Sequence, residues 1–222
     1  MPMARYHGVR DLCVDVTFSI LGPVANNVYV VDDGEGVIVV DPSCRPDVIM
    51  DMVNGRTVDA IFVTHRHEDH IGALADIRRI TGAKVYAPAL EAKAIEAGVE
   101  SKFGLSAAAC PVDVRFKDGD KLQVGKTCWE VLHTPGHTEG SSCFYLRSKD
   151  APGEGAPVLL SGDTLFCSSI GRTDFEGGSM KQMRQSLRRL GQLPDEVVVL
   201  PGHNMLTTMR AEKRMTIPYY AG

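Results

Sequence analysis

The run Thr64-His65-Arg66-His67-Glu68-Asp69-His70 packs four potential metal ligands into six residues. It follows the apolar stretch Val58 to Val63, whose length and composition predict a buried strand, and precedes the helically spaced Ala73, Leu74, Ile77 and Ile80. In an extended segment side chains alternate faces, so His65 and His67 point the same way. Asp69 and His70 fall where the chain turns into the helix, which re-aims them toward a neighbouring point. Three further candidates recur beside small turn residues at predicted strand ends: His137 in Pro135-Gly136-His137, Asp163 in Ser161-Gly162-Asp163 and His203 in Pro201-Gly202-His203. A glycine before each ligand lets the backbone approach an ion closely. A lone histidine at a strand end is usually structural. Five of the seven histidines in one ordered series, H-x-H-x-D-H then G-H, G-D and G-H, point instead to a metal centre. Nitrogen and oxygen donors suit zinc, iron or manganese.

The elements that must position these groups are mostly short. Strands are expected over Leu12 to Ile20, Asn27 to Val31 and Gly36 to Val40, the last two around the turn Asp32-Asp33-Gly34. Asp47 to Val53, Gly72 to Ile80 and Leu90 to Ala97 have helical spacing, with strands at Val58 to Val63 and Lys84 to Tyr86. The second half holds Val112 to Phe116, then a hairpin of Lys121 to Val124 and Cys128 to Leu132 around Gly125-Lys126. Strands at Ser142 to Leu146, Val158 to Leu160 and Val197 to Leu200 follow, with a helix over Met180 to Leu190. Runs of strands with interposed helices predict an α/β fold of two mixed sheets flanked by helices. No repeat or linker interrupts residues 1–222, so a single domain is expected.

Composition narrows the function. A net charge of −4 without Lys/Arg-rich blocks disfavours nucleic acid as a partner. No apolar run reaches membrane-spanning length, and residues 1–20 lack a basic region followed by a continuous apolar run, so a cytoplasmic location is expected. The six scattered cysteines form no C-x-x-C pair and are expected to be free thiols. His7 is expected to be an exposed terminal residue and His133 a strand-end hydrogen-bonder. Met205, Met209 and Met215 are expected to pack the tail on the core, and Asp174 to form part of a turn.

The ordered ligand series resembles the metallo-β-lactamase superfamily across nearly the whole chain. The resemblance implies a four-layer αβ/βα sandwich with two divalent metal ions, zinc first and iron or manganese as alternatives, at one edge. It places His65, His67 and His137 on the first metal, Asp69, His70 and His203 on the second, and Asp163 between them. Asp41, in Val39-Val40-Asp41-Pro42, would lie beneath the metals and fix a ligand imidazole. Asp69 and Asp163 are the candidate catalytic carboxylates.

Within the superfamily, Leu165-Phe166 with Gly171-Arg172-Thr173-Asp174-Phe175-Glu176-Gly177-Gly178 resembles the glyoxalase II branch, in particular its small bacterial YcbL-like members. The ending, with Thr207-Thr208, Glu212, Arg214 and Pro218, resembles theirs as well. This implies hydrolysis of a small-molecule thioester such as S-lactoylglutathione by a hydroxide bridging the metals, with Arg172 and Phe175 contacting the thiol carrier. Phe175 lacks the hydroxyl of the tyrosine that some members carry. Full-length glyoxalase II enzymes continue into a helical domain that supplies further basic residues for glutathione, whereas only residues 204–222 follow His203 here. Lys102, Lys117 or a tail residue would have to substitute. The main rival is a mononuclear iron persulfide dioxygenase of the same superfamily. Those enzymes share Gly-Arg-Thr-Asp-Phe and would use His65, His137 and Asp163, but they generally read Pro-Ala-His where this chain has Pro201-Gly202-His203. A true β-lactamase is disfavoured because Asp163 stands where many of those enzymes place cysteine. A ribonuclease would need a basic exosite, and a non-catalytic metal-binding protein would not need every ligand position filled.

Overall fold

The computed structural model describes residues 6–100 and 106–222; Lys102 lies outside them. The first sheet contains β1 (His7–Val9), β2 (Asp15–Leu21), β3 (Asn26–Asp32), β4 (Val37–Val40), β5 (Ala60–Phe62) and β6 (Lys84–Pro88) in that spatial order. A two-stranded ribbon of β7 (Val99–Glu100) and β8 (Ser106–Ala107) precedes β9 (Val114–Phe116), which pairs with β6 as the outer strand. The chain then builds the second sheet from β10 (Lys121–Val124), β11 (Thr127–His133), β12 (Ser142–Leu146) and β13 (Val158–Gly162). The ribbon β14 (Leu165–Phe166) and β15 (Ser169–Ile170) leads on to β16 (Val198–Pro201) and β17 (Thr207–Thr208). Strands β4, β5, β6 and β9 run parallel, as do β13 and β16; the other ladders of the two sheets are antiparallel.

Alternation along the strands divides the core into three layers. In β3 and β4, Val28, Val30, Val37 and Val39 face α1 (Pro46–Val53), α3 (Leu74–Thr81) and α4 (Ala92–Ala97). Their neighbours Tyr29, Val31, Ile38 and Val40 face the second sheet. There they meet Trp129, Val131, Phe144, Leu146 and Leu160, while Leu132, Tyr145 and Leu159 turn to α5 (Met180–Leu190). The outcome is helices, sheet, sheet, helices: the expected four-layer αβ/βα sandwich. Phe62 is fully buried at its middle, stacked on Phe144 at 4.7 Å and edge-on to Trp129 at 6.2 Å. Ser179 caps α5 by accepting from the Gln182 N–H, and Arg188 and Arg189 complement the dipole of its last turn.

Two expectations need correction. The helix expected over Gly72 to Ile80 is α3, which starts at Leu74, and a separate turn, α2 (Glu68–Ile71), precedes it because the Ala73 N–H donates to Pro42 O rather than continuing α2. His7 is exposed, as expected, and pairs from β1 with Phe18 of β2. Of the tail methionines only Met209 is buried; Met205 and Met215, 72% and 61% exposed, do not pack on the core. The six cysteines are free, with Cys13, Cys110 and Cys143 fully buried. Among the described residues no helix is long and apolar enough to cross a membrane.

Candidate metal centre

Five strand ends deliver the chemistry to one edge of the sandwich. Asp41 follows β4, His65 lies three residues after β5, His137 follows β11, Asp163 follows β13 and His203 follows β16. His67 and the single turn α2 bring in Asp69 and His70. The two sheets are stitched together beside them: Asn27 N–H donates to Gly202 O at 2.7 Å, and Gly202 N–H donates to Gly162 O at 2.9 Å. A side chain at Gly202 would meet Asp163 Oδ1 and, at 2.7 Å, His70 Cε1, so this glycine is required by close approach.

All seven expected ligands converge. Ligand atoms of His65, His67 and His137 lie within 4.8 Å of one another, as do those of Asp69, His70 and His203, and those of His65, His70 and Asp163. Asp163 reaches both sides: Oδ2 is 3.5 Å from His137 Nε2 and 3.5 Å from His203 Nε2, and Oδ1 is 3.3 Å from His70 Nε2. Asp69 Oδ2 lies 3.2 Å from His203 Nε2 and 3.5 Å from His70 Nε2. Donors about 2.0–2.1 Å from a tetrahedral ion stand roughly 3.3 Å apart, so most of this spacing already fits shared cations. His67 Nδ1 and His137 Nε2 are tighter, at 2.8 Å. His65 Nε2 and Asp163 Oδ1 are buried without a hydrogen-bond partner, at the point where an ion would satisfy them.

Groups behind the ligands fix which nitrogen faces inward. Asp41, 2% exposed, accepts from the Thr64 N–H through Oδ1 and, through Oδ2, from the Thr64 hydroxyl and His70 Nδ1 at 2.9 Å. Thr64 Oγ1 lies 3.0 Å from His65 Nδ1. His137 Nδ1 pairs with Arg172 O at 2.7 Å, and His203 Nδ1 with Val24 O at 3.1 Å. In each of these four rings Nε2 is left toward the centre, as a metal-binding imidazole requires.

The charges follow the same division. Burial and the neighbouring imidazoles of His137 and His70 push His67 down to about 3, and burial with His70 and His137 pushes His65 well below its ordinary value. Both offer lone pairs at neutral pH. His70 goes the other way: burial opposes its charge, but Asp163 and Asp69 hold it well above the usual range. Against burial, His70 and His203 hold Asp69 well below the usual carboxylate range. The carboxylates thus demand positive charge at the centre, which protons or cations can supply.

Phe175 stands edge-on to His67 at 5.5 Å and to His137 at 6.1 Å, forming the wall on that side. The Arg172 guanidinium stacks over its ring at 4.3 Å and is held by both oxygens of Asp174 at 2.9 and 2.7 Å. Asp174 is therefore Arg172's partner in an exposed turn. Lys117 lies with His133 in a separate shallow cavity, and His133 Nε2 pairs with Glu139 O at 2.9 Å. Sequence reasoning missed Thr64, Asn26, Asn27 and the pair of buried Glu91 with half-buried Arg66. Asn26 Nδ2 lies 3.1 Å from His70 Nε2. Arg66 joins the ligand run to the Phe175 loop by donating to Glu91 and to Glu176 O. Two consecutive asparagines opening a strand, where they are normally depleted, were the available signal.

The sequence model of the metallo-β-lactamase superfamily matches residues 21–203. The chain belongs to this superfamily. Its fold and its His/Asp clusters are accordingly those of a family of metal-dependent hydrolases. The probable metallo-hydrolase YqgX of Bacillus subtilis is 32% identical over 200 residues, covering 87% of this chain and 92% of that protein. A hydroxyacylglutathione hydrolase of Pseudomonas entomophila is 34% identical over 167 residues, covering 74% of this chain and 56% of that protein, so this metallo-β-lactamase-fold chain spans only part of that relative's length. Among solved structures, TTHA1623 in a di-iron-bound form aligns with a TM-score of 0.77 at 33% identity, covering 89% of this chain and 97% of that one.

Proposed function

We propose that the chain is a dinuclear metal hydrolase acting on a thioester, of the hydroxyacylglutathione hydrolase type. The observation that carries this is Asp163, whose carboxylate reaches His137 on one side and His70 and His203 on the other. His65, His67 and His137 would hold one cation and Asp69, His70 and His203 the other. Zinc suits these donors, and the di-iron form of a relative makes iron the alternative. Two such cations, when bound, would lower the pKa of water toward about 7 and polarise a carbonyl oxygen. Asp163 and Asp69, both deprotonated, orient the attacking water by accepting its hydrogens. Phe175 closes the His67–His137 side against solvent. The leaving thiolate, with a solution pKa of about 8.5, departs without a dedicated acid.

The likeness to a hydroxyacylglutathione hydrolase supports glutathione as carrier, with Arg172 as the cation nearest the Phe175 wall. A second reading, a mononuclear iron dioxygenase acting on a persulfide, draws on the run Gly171 to Phe175 and on Asp163, which lies 3.5 Å from His137 and shares a cluster with His65. One metal-quantified preparation, assayed for S-lactoylglutathione hydrolysis and for oxygen uptake on glutathione persulfide, separates them. Two metals per chain with thiol release are expected, and Asp163→Asn should reduce both. One iron per chain with oxygen consumption would overturn the proposal.

A further inference from the structure

A second feature adjoins the centre on the side away from Arg172 and Phe175. An open cleft of about 680 Å³ runs from His203 between β2 and the segment after β16. Phe18, Ile20 and Val24 line it from the β2–β3 hairpin, Met205 and Leu206 from the other side. Ile20, Val24 and Met205 are 54%, 49% and 72% exposed, so three of the chain's large solvent-facing apolar side chains converge here. Among the described residues no Lys, Arg, Asp or Glu lines the cleft. Its volume is that of a small-molecule site, and a concentrated exposed apolar surface marks a binding surface.

We infer that this cleft holds the acyl chain of the substrate, so that the preferred substrates are thioesters of apolar acyl groups several carbons long rather than of lactate. The inference rests on the thioesterase reading above. The carrier is the charged part of a biological thioester, and a cleft without a cationic side chain offers its carboxylates or phosphates no counter-charge. Among the described residues the cations beside the centre on the opposite wall, Arg172 and Arg66, are already paired with Asp174 and Glu91, so carrier recognition there is weak and the acyl arm supplies the remaining affinity. With the carbonyl between the two donor clusters, the chain passes His203 into the cleft while the sulfur lies toward Phe175. Water's oxygen then becomes part of the product carboxylate, the C–S bond breaks, and the sulfur leaves as thiolate and takes up a proton.

The test uses butyryl, hexanoyl and octanoyl thioesters of the neutral thiol N-acetylcysteamine, with calorimetric binding of butyrate, hexanoate and octanoate to the metal-loaded protein. A half-buried methylene is worth about a twofold gain, so turnover efficiency should rise roughly fifteenfold from butyryl to octanoyl. The length dependence should vanish in Ile20→Asp and in Met205→Asp, and persist in Ile80→Asp, an exposed apolar position outside the cleft. Met205→Asp, on a loop, keeps the test intact should Ile20→Asp fail to fold. Equal turnover of all three thioesters overturns the inference and leaves the hydrolase reading standing. Should no thioester turn over, the hydrolase reading falls, and the carboxylates decide the cleft: affinity rising with length supports it and a flat series refutes it.

Discussion

Replacing Asp41 by asparagine isolates the hydrogen-bond logic behind the ligands with little change of shape. Asp41 sits in the left-handed region, φ 47°, which asparagine tolerates and alanine does not, so the backbone should hold. The carboxylate makes three bonds: Oδ1 accepts from Thr64 N at 2.8 Å, and Oδ2 from Thr64 Oγ1 at 2.7 Å and His70 Nδ1 at 2.9 Å. An amide can preserve only one side. If its oxygen stays on the Thr64 N–H, its NH2 faces His70 Nδ1, which must then accept; the ring proton moves to Nε2, the atom aimed at Asp69 and Asp163. If the amide flips, two buried donors confront each other. Either arrangement costs about one hydrogen bond to a charged group, roughly 1.5–3 kcal/mol, or about 10- to 150-fold in affinity for a cation at Asp69, His70 and His203. Loss of such supporting partners typically costs 10–100-fold. His65 is reached from Asp41 only through Thr64 Oγ1, so the cluster of His65, His67 and His137 should weaken much less. Competition with a chromophoric chelator gives two dissociation constants per protein. Asp41→Asn should raise one of them within that range, and Thr64→Val, which removes the hydroxyl beside His65, should affect the other more. Unchanged constants in Asp41→Asn, or equal weakening of both, would refute the assignment of separate supports.

Gly202→Ala should abolish tight metal binding and lower stability by about 1–3 kcal/mol, measured by metal retention on gel filtration and by urea melts, because its Cβ has no room beside Asp163 and His70. Metal addition to chelated protein should raise the melting temperature by about 5–10 °C for each site filled at a hundredfold excess over Kd, from roughly 2.7 kcal/mol per site of linkage; an unchanged melt would argue against binding at this buried centre. Asp33 accepts the N–H groups of Glu35, Gly36, Lys126 and Thr127, tying the β3–β4 hairpin to the β10–β11 hairpin. Against the upward push of burial these donors lower its pKa, so its contribution is complete above the unfolded value of about 3.9 and disappears as pH falls through the folded one. Asp33→Ala should therefore cost about 1–3 kcal/mol at pH 7, with the gap from wild type narrowing below pH 4 in urea titrations.

The convergence of the seven candidate ligands was legible because few residue types bind borderline metals and because glycine before His137, Asp163 and His203 advertises a close backbone approach. The layers were legible because β3, β4, β11 and β12 alternate between two buried faces with large apolar residues on both. What escaped was whatever depends on contacts distant in sequence. Thr64 is an unremarkable strand-end residue until Asp41, 23 positions earlier, folds beneath it. Asn26 lies 44 positions from His70. The ribbon β14–β15 and strand β17, two residues each, are too short for a period to register. Met205 and Met209 share helical spacing, yet only Met209 belongs to a helix, α6 (Met209–Glu212). Met205 precedes it in the segment after His203, where spacing carries no information about burial.

The donors are divided between the halves of the sandwich: Asp41 and residues 65–70 come from the first sheet's strand ends, and His137, Asp163 and His203 from the second. Neither half alone assembles a complete set, and the carboxylate that reaches both clusters sits on the second sheet beside the Asn27–Gly202 bridge to the first. A cation shared by these donors would thus cross-link the sheets as well as form a site. Apolar packing around Phe62 is non-directional and tolerates a small slide of one sheet over the other, whereas a slide of about 0.5 Å would displace donors of the two halves now 3.2–3.3 Å apart from a common ion. The directional contacts at this edge, Tyr29 Oη to Pro201 O at 2.7 Å and Asn27 Nδ2 to Pro201 O at 2.9 Å, supply the register that packing cannot. Buried polar groups on β3 therefore belong to the precision of the metal centre rather than to the strength of the core.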